Sequence, residues 1–323
     1  MWVRYGRADG RAIMKACPPL ETVTGPFSAD GAEGMALIHE HLSCDLSTGF
    51  GPTYVLQDQA LMTSELVAAH EQGVTLVIDS GNSGHGRDPA FLRRIADAAG
   101  VAIVASTGHY REGFFPDSIR SQSVEEIAAG MVTEIRVGIE GSGIKAGAIG
   151  EIGMSGETPS DNERKVFLAA AMAQRETGVP LMTHTAEGLG WRTQLDLLIE
   201  GGADLDRVVI GHMDCLDDGA AHRGVIQAGA WLGFDRINSL RWQTDEVRVT
   251  RLRDLIASGL HDRILLSQDI ASTTRLRIDG APGYTAILSE LVPRLLRQGV
   301  PDSAVQQLCY RNPWSFLLGH EGS

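Results

Sequence analysis

Eight short runs of β-branched and apolar residues recur along this chain, each followed by an amphipathic stretch. That alternation constrains the fold more than any other feature. The runs are Met35–His39, Thr75–Asp79, Ala102–Ser106, Ala148–Ile152, Leu181–Thr183, Arg207–Ile210, Trp231–Phe234 and Ile264–Leu266. Helical periodicity marks Ser64–Gln72, Pro89–Ala99, Val124–Val137, Ser160–Thr177, Gly190–Gly201, Gly219–Ala228, Thr244–Ser258 and Thr285–Gln298. Strands separated by helices pair in parallel, because a parallel crossover needs a dozen or more residues. Eight such units in 323 residues predict an α/β chain folded as a (β/α)8 TIM barrel. Gly73, Gly100, Gly178, Gly202 and Gly229 stand where helices should end, as left-handed C-terminal caps require. An open doubly wound sheet is the alternative. It collects its ligands at one switch point, whereas the candidate site residues here come from many strand ends.

Domain organisation follows the same pattern. Residues 1–20 read as an N-terminal extension, with Met14 as an alternative start, and residues 21–323 as a single barrel domain. Met1 to Ala16 has scattered charges and no apolar core, so it does not read as a secretory signal. No apolar run approaches the roughly 20 residues that span a bilayer. A net charge of −13 with no Lys/Arg cluster argues against nucleic acid, whose phosphates need cationic partners. Cys17, Cys44, Cys215 and Cys309 form no CxxC pair and suit a reducing cytoplasm. Cys44 and Cys215 each lie three residues from a histidine, on a different phase, and read as buried small side chains.

The chemistry gathers at the ends of the runs. His39 and His41 close the first one, in Ile38-His39-Glu40-His41-Leu42. Side chains alternate along a strand, so the two imidazoles face one way and Glu40 the other. On a helix, positions i and i+2 would diverge. Two imidazoles side by side can grip a divalent transition metal, although such a pair also arises by chance. Glu151 ends the fourth run, His184 the fifth, His212 the sixth and Asp269 the eighth. In a barrel these positions share the C-terminal mouth. Four histidines and two carboxylates exceed what one zinc needs. They suit two ions about 3.5–4 Å apart, bridged by a carboxylate and a hydroxide. Glu151 is central in strand order and can bridge. Asp269 can ligate one ion and also take a proton from the bridging hydroxide.

Taken together, His39-Glu40-His41, Gly84-His85-Gly86-Arg87-Asp88-Pro89, Thr107-Gly108-His109-Tyr110, Gly150-Glu151-Ile152-Gly153, Thr183-His184-Thr185, Ile210-Gly211-His212 and Ser267-Gln268-Asp269 carry a resemblance. The chain resembles the phosphotriesterase family of the amidohydrolase superfamily from Thr22 to Pro313, in the branch that includes lactonase-like members and phosphotriesterase homology proteins. The resemblance implies a barrel, a binuclear centre and hydrolysis. Many members bridge the metals with a carboxylated lysine at the end of strand four. Gly150-Glu151 resembles instead the branch that bridges with glutamate, and Lys145 falls six residues upstream, near the strand's start.

In lactonase-like members a tyrosine at the position of Tyr110 faces the metals; a packed loop aromatic is the other reading. Arg236, in Gly-Phe-Asp235-Arg236-Ile-Asn, resembles the lactonase pattern and offers a fork of donors; a rim salt bridge is the alternative. His109 and Arg87 read as structural, and Asp88 as a helix N-cap. Asp214 is either a partner for a ligand imidazole or a loop cap. Arg275 lies in the long segment after the last strand and is a candidate substrate contact, or one exposed arginine among several. The expected activity is a metal-dependent lactonase or carboxylic ester hydrolase with Asp269 catalytic. Alternatives are a phosphotriesterase, an amide or N-acyl hydrolase, and a non-catalytic binding relative. The expected cofactors are two divalent ions, zinc first and manganese or cobalt otherwise. The expected partners are a small-molecule substrate and, in a homodimer, a second copy; nucleic acid and membrane are not expected.

Overall fold

A computed structural model describes residues 19–28 and 32–319 of the protein. The extension, apart from its last two residues, lies outside the described residues together with Met14 and Cys17. Leu20, assigned to the extension from sequence, is buried at the base of the barrel.

Eight strands run parallel: β1 (Met35–Glu40), β2 (Val74–Asp79), β3 (Ala102–Thr107), β4 (Ala148–Gly153), β5 (Leu181–His184), β6 (Val208–Ile210), β7 (Trp231–Phe234) and β8 (Ile264–Leu266). They pair in sequence order from β1 to β8. The β1–β8 seam closes at the mouth. Asp269 N donates to His39 O at 3.1 Å, and His39 N donates to Ser267 Oγ at 2.9 Å. The Glu40 carboxylate completes the closure by accepting from Gln268 N at 2.7 Å and Ile270 N at 3.1 Å. So the residue between the two histidines does turn the other way, into the seam. Burial pushes its carboxyl up to about 8 against the pull of those two donors.

Ala36, Ile38, Leu76, Ile78, Val104, Ala148, Met182, Val209 and Leu265 form the inner core, with Trp314, Phe316 and Leu317 beneath. The alternate residues Leu37, Val77, Ile103, Ile149, Leu181, Ile210 and Leu266 pack outward in the larger core shared with the helices. Each such aliphatic chain contributes about 1.5–3 kcal/mol when fully buried.

Two strands break the alternation where it matters. β1 gains a residue against β2 between Leu37 and Glu40, and β4 gains one against β5 between Ile149 and Ile152. His39 shares the parity of outward-facing Leu37, and Glu151 that of outward-facing Ile149. Each bulge turns its residue toward the barrel axis.

The outer helices are α1 (Gln59–Glu71), α2 (Pro89–Ala99), α3 (Val124–Arg136), α4 (Asp161–Thr177), α5 (Trp191–Glu200), α6 (Gly219–Gln227) and α7 (Asp245–Ala257). Asp88 caps α2 as expected, accepting from Phe91 N at 2.9 Å. α1 begins five residues before its expected start because Asp58 accepts from Leu61 N at 3.0 Å and nucleates the turn. The stretch expected as one helix to Gln298 is a π-helical turn at 287–291 followed by α-helix at 292–297. A further helix, not foreseen from sequence, covers 302–318 with a π turn at 307–311. Both π turns sit just ahead of a proline, Pro293 and Pro313, whose missing N–H and ring interrupt regular α spacing. Asn312 Nδ2 donates to Ile264 O and His261 O, both at 2.7 Å, and locks the last helix under β8.

Candidate metal centre

The six residues expected at the mouth converge. His41 Nε2 lies 3.3 Å from Glu151 Oε1 and 3.2 Å from Asp269 Oδ1. His39 Nε2 is 3.2 Å from Glu151 Oε2. On the other flank His184 Nδ1 is 2.8 Å from Glu151 Oε2 and 2.7 Å from His212 Nε2. The ligand atoms fall into overlapping groups: His39, His41, Glu151 and Asp269 form one, and Glu151, His184 and His212 another. Glu151 belongs to both, as a bridge requires. Lys145 stands elsewhere, half-exposed, with Nζ 3.2 Å from Glu21 Oε1.

Backbone geometry sets part of this arrangement. β6 stops at Ile210, and His212 adopts the left-handed conformation at φ 59°. Asp269 does likewise at φ 50°. Non-glycine residues in that region carry strain that surrounding contacts must hold, and such positions cluster at functional sites. Gly211 makes room beside them, since a Cβ there would lie 2.2 Å from Thr183 O.

Asp235 orders the imidazoles. Its Oδ2 meets His39 Nδ1 at 2.9 Å, and its Oδ1 meets both His212 Nδ1 and His212 N at 2.8 Å. A carboxylate accepts only, so each Nδ1 carries the proton and each Nε2 presents a lone pair to the centre. Sequence reasoning placed Asp235 with Arg236 at the rim and missed this role. The available signal was parity: Trp231, Gly233 and Asp235 share one face of β7, and Trp231 points inward. Asp214 was the residue considered for that work. The strand does not continue through it, and a turn at Met213–Cys215 swings it onto Arg248, whose Nε donates to Asp214 Oδ2 at 2.5 Å.

The donor set fits divalent cations. His39 Nε2, the nitrogen that faces Glu151, is buried with no hydrogen-bond partner. Burial would raise the Glu151 carboxyl, but the charge of His184 and hydrogen bonds from His184, His212 and His39 hold it well below the usual range. Asp269 is likewise held low, with Arg236 and His41 outweighing burial. Burial works against protonating His41, yet Asp269 and Glu151 push it up to about 10. The whole set draws positive charge to its centre.

Tyr110 and Arg236 approach from strands opposite one another in the barrel. Tyr110 Oη lies 3.1 Å from His184 Nε2 and 3.4 Å from His184 Nδ1. Arg236 is buried, with Nε 3.2 Å from Asp269 Oδ2, and its guanidinium carbon lies 5.0 Å from the Trp242 ring centre. That approach to Asp269 lacks hydrogen-bond alignment and is an ion pair only. Both residues line a mouth cavity of about 420 Å³, together with His41, Glu151, His184 and Asp269. Arg275 lines it too, but donates to Asp269 O at 2.8 Å and Ile237 O at 2.9 Å. Those bonds make it a tie between two loops.

Arg87 spans Ser106 O at 2.7 Å and the Glu134 carboxylate at 2.9 and 3.0 Å, a structural clamp as expected. His109 lines a separate cavity beside Glu134. Another buried histidine, His85, stands between Tyr110 and His41, with ring centres 4.5 and 5.6 Å away. The cation groups contain no cysteine among the described residues. Cys44 is buried as expected, and Cys215 is partly so.

A parallel barrel with a buried cluster suited to two divalent ions at its C-terminal mouth defines a metal-dependent hydrolase. The chain matches the family model "Phosphotriesterase family" over residues 18–317 and belongs to that family. The crystal structure of the phosphotriesterase homology protein from Escherichia coli, complexed with phosphate in its active site, aligns with a TM-score of 0.86. It is 37% identical and covers 88% of this chain and 98% of that one. The N-acetyltaurine hydrolase of Rattus norvegicus is 30% identical over 341 residues, 92% of this chain and 97% of its own. A mutant organophosphorus hydrolase from Deinococcus radiodurans aligns with a TM-score of 0.82 at 34% identity, covering 95% of this chain and all of that one. No helix among the described residues is long and apolar enough to cross a membrane.

Proposed function

We propose that the protein hydrolyses a carboxylic acyl bond, that of a lactone or other carboxylic ester, with two zinc ions. His39, His41 and Asp269 would hold one ion, His184 and His212 the other, and Glu151 both. The ions would supply Lewis acidity toward the acyl oxygen and would lower the pKa of the attacking water. Four imidazoles with carboxylates suit zinc; manganese and cobalt accept the same donors.

The observation that carries the acyl reading is the placement of Tyr110 and Arg236 on opposite walls beside the cluster. Arg236 offers guanidinium donors to the oxygens of the ester, and Tyr110 a hydroxyl across from them. Asp269 is ionised at neutral pH and lies partly buried beside His41, where it would take the proton of the attacking water. As the new C–O bond forms and the bond to the leaving oxygen breaks, Asp269 passes that proton to the leaving alkoxide. A lactone thereby opens to a hydroxy acid.

Similarity to N-acetyltaurine hydrolase over most of both chains favours a second reading, in which the bond cut is the amide of an N-acyl compound. The same residues then deliver the proton to the departing amine. The free state of Cys44, Cys215 and Cys309 supports a cytoplasmic location.

The test is a panel of γ-lactones, carboxylic esters, N-acetyltaurine, N-acyl amino acids and phosphotriesters with the metal-loaded protein. Acyl compounds should be turned over in preference to phosphotriesters. Arg236→Ala should lower kcat/KM for the preferred acyl substrate by about one to two powers of ten, the worth of a charge-assisted hydrogen bond. A phosphotriester preference, or an equal loss on every substrate, would overturn the assignment.

A further inference from the structure

The charge of the mouth runs against that of the chain. Acidic residues outnumber Lys and Arg by 41 to 28 overall. The cavity wall nevertheless carries Arg111, Arg236, Arg241 and Arg275, against Glu151, Asp269 and Glu187. Glu151 and Asp269 face the imidazoles, and the cations this set is built for would make the cavity more positive still.

Arg241 stands out among these arginines. It makes no ion pair within the described residues. Its guanidinium carbon lies 4.6 Å from the centre of the Trp242 ring, the same ring that Arg236 approaches at 5.0 Å. Stacking occupies the face of a guanidinium and leaves its in-plane N–H donors free. The segment bearing Arg241 is fixed from below. Arg248, fully buried, donates to Ser239 O at 3.1 Å, Gln243 O at 2.7 Å and Asp245 Oδ1 at 2.9 Å. Arg241 therefore sits at the mouth on a preorganised loop, with unspent donors.

We infer that the substrate carries a fixed oxyanion group, a carboxylate, sulfonate or phosphate, away from the bond that is cut, and that Arg241 binds it on the Trp242 side of the mouth. The inference rests on the acyl-hydrolase reading for which bond is cut, and on the arginine geometry for the anion. Oxyanions accept two parallel N–H donors from one guanidinium edge, which a neutral group of the same size does not. Arg241 is thus a specificity residue whose effect appears only with charged substrates.

Matched pairs test this with the metal-loaded protein: N-acetyltaurine against N-acetylpropylamine, and γ-butyrolactone bearing a carboxylate against the unsubstituted lactone. The charged member of the preferred pair should have the higher kcat/KM. Arg241→Ala should cut that ratio about tenfold or more, and Arg241→Glu should abolish or invert it. Calorimetric titration with 1-propanesulfonate, butanoate and propyl phosphate reads the anion directly. The tightest of the three names the group, and Arg241→Glu should weaken it at least about tenfold by the same bond energy. Anion binding that depends on Arg241 without turnover of any acyl compound would sink the acyl reading and sustain the anion site. Equal turnover of charged and neutral members, or anion binding indifferent to Arg241→Glu, would overturn the inference.

Discussion

Replacing Asp235 by asparagine should remove one cation and spare the other. The carboxylate now accepts three hydrogen bonds: Oδ1 from His212 N and His212 Nδ1, both at 2.8 Å, and Oδ2 from His39 Nδ1 at 2.9 Å. An asparagine keeps one acceptor and gains a donor. Its oxygen should stay at the His212 end, where two donors converge. Its amide nitrogen then meets the Nδ1–H of His39, donor against donor. His39 escapes by moving its proton to Nε2, the atom that faces Glu151 and Asp269, and so loses its lone pair there. Losing a partner that orients a ligand histidine typically costs ten- to a hundredfold in metal affinity. That is about 1.4–2.7 kcal/mol, in line with the roughly 1.5–3 kcal/mol of a hydrogen bond to a charged group. Metal content after dialysis against graded chelator should fall toward one equivalent, while wild type holds two. Asp235→Ala should loosen both ions. If Asp235→Asn keeps two ions at wild-type affinity, or if the ion on His184 and His212 is the one lost, the ordering role assigned to Asp235 is wrong.

Other expectations follow from the same geometry. Lys145→Ala should leave metal content intact and Glu151→Ala should abolish it, both read by elemental analysis; loss of metal from the lysine variant would reinstate the carboxylated-lysine bridge. Asp269→Asn should keep the fold by circular dichroism and lower turnover by about 10²–10⁴, since an amide does not carry a proton at neutral pH; a near-normal rate at full metal content would exclude the shuttle. His109 is pushed down to about 4 by burial, ahead of the opposing charge of Glu134. A base with a lowered folded pKa binds fewer protons folded than unfolded, so its contribution is present above about 6.5 and lost as pH falls toward 4. His109→Gln should therefore lose less stability than wild type between pH 6.5 and 4 in urea unfolding, and an identical loss would show that the ring is not held neutral.

The barrel was legible from sequence because its signal is local. A parallel strand buried on both faces is an uninterrupted apolar run, and the helices announce themselves by period and cap. Gly100 and Gly178 do end their helices in the left-handed conformation, at φ 70° and 75°. Local signals failed where two effects competed. Asp58 started α1 ahead of its apolar stripe. Pro313 hid a helix that a π turn accommodates, and Pro293 left the expected one part π and part α. The short hairpins Glu21–Thr22 with Gly25–Pro26, and Cys44–Asp45 with Val55–Leu56, are too brief to show a period.

The site divides along the same line. His39, His41, Glu151, His184, His212 and Asp269 were legible because each ends a run, and a barrel brings all strand ends to one mouth. Their residue types, and the exclusion of Lys145 by its distance along the strand, are properties of the sequence alone. Which way each side chain turns was not. By strict alternation His39 would follow Leu37 outward and Glu151 would follow Ile149. The extra residue in β1 and in β4 exists only when neighbouring strands register against one another, and it reverses both. Asp235 holding two imidazoles and Glu40 closing the β1–β8 seam join residues up to 230 positions apart. No local preference encodes such contacts; chain closure and packing alone decide them.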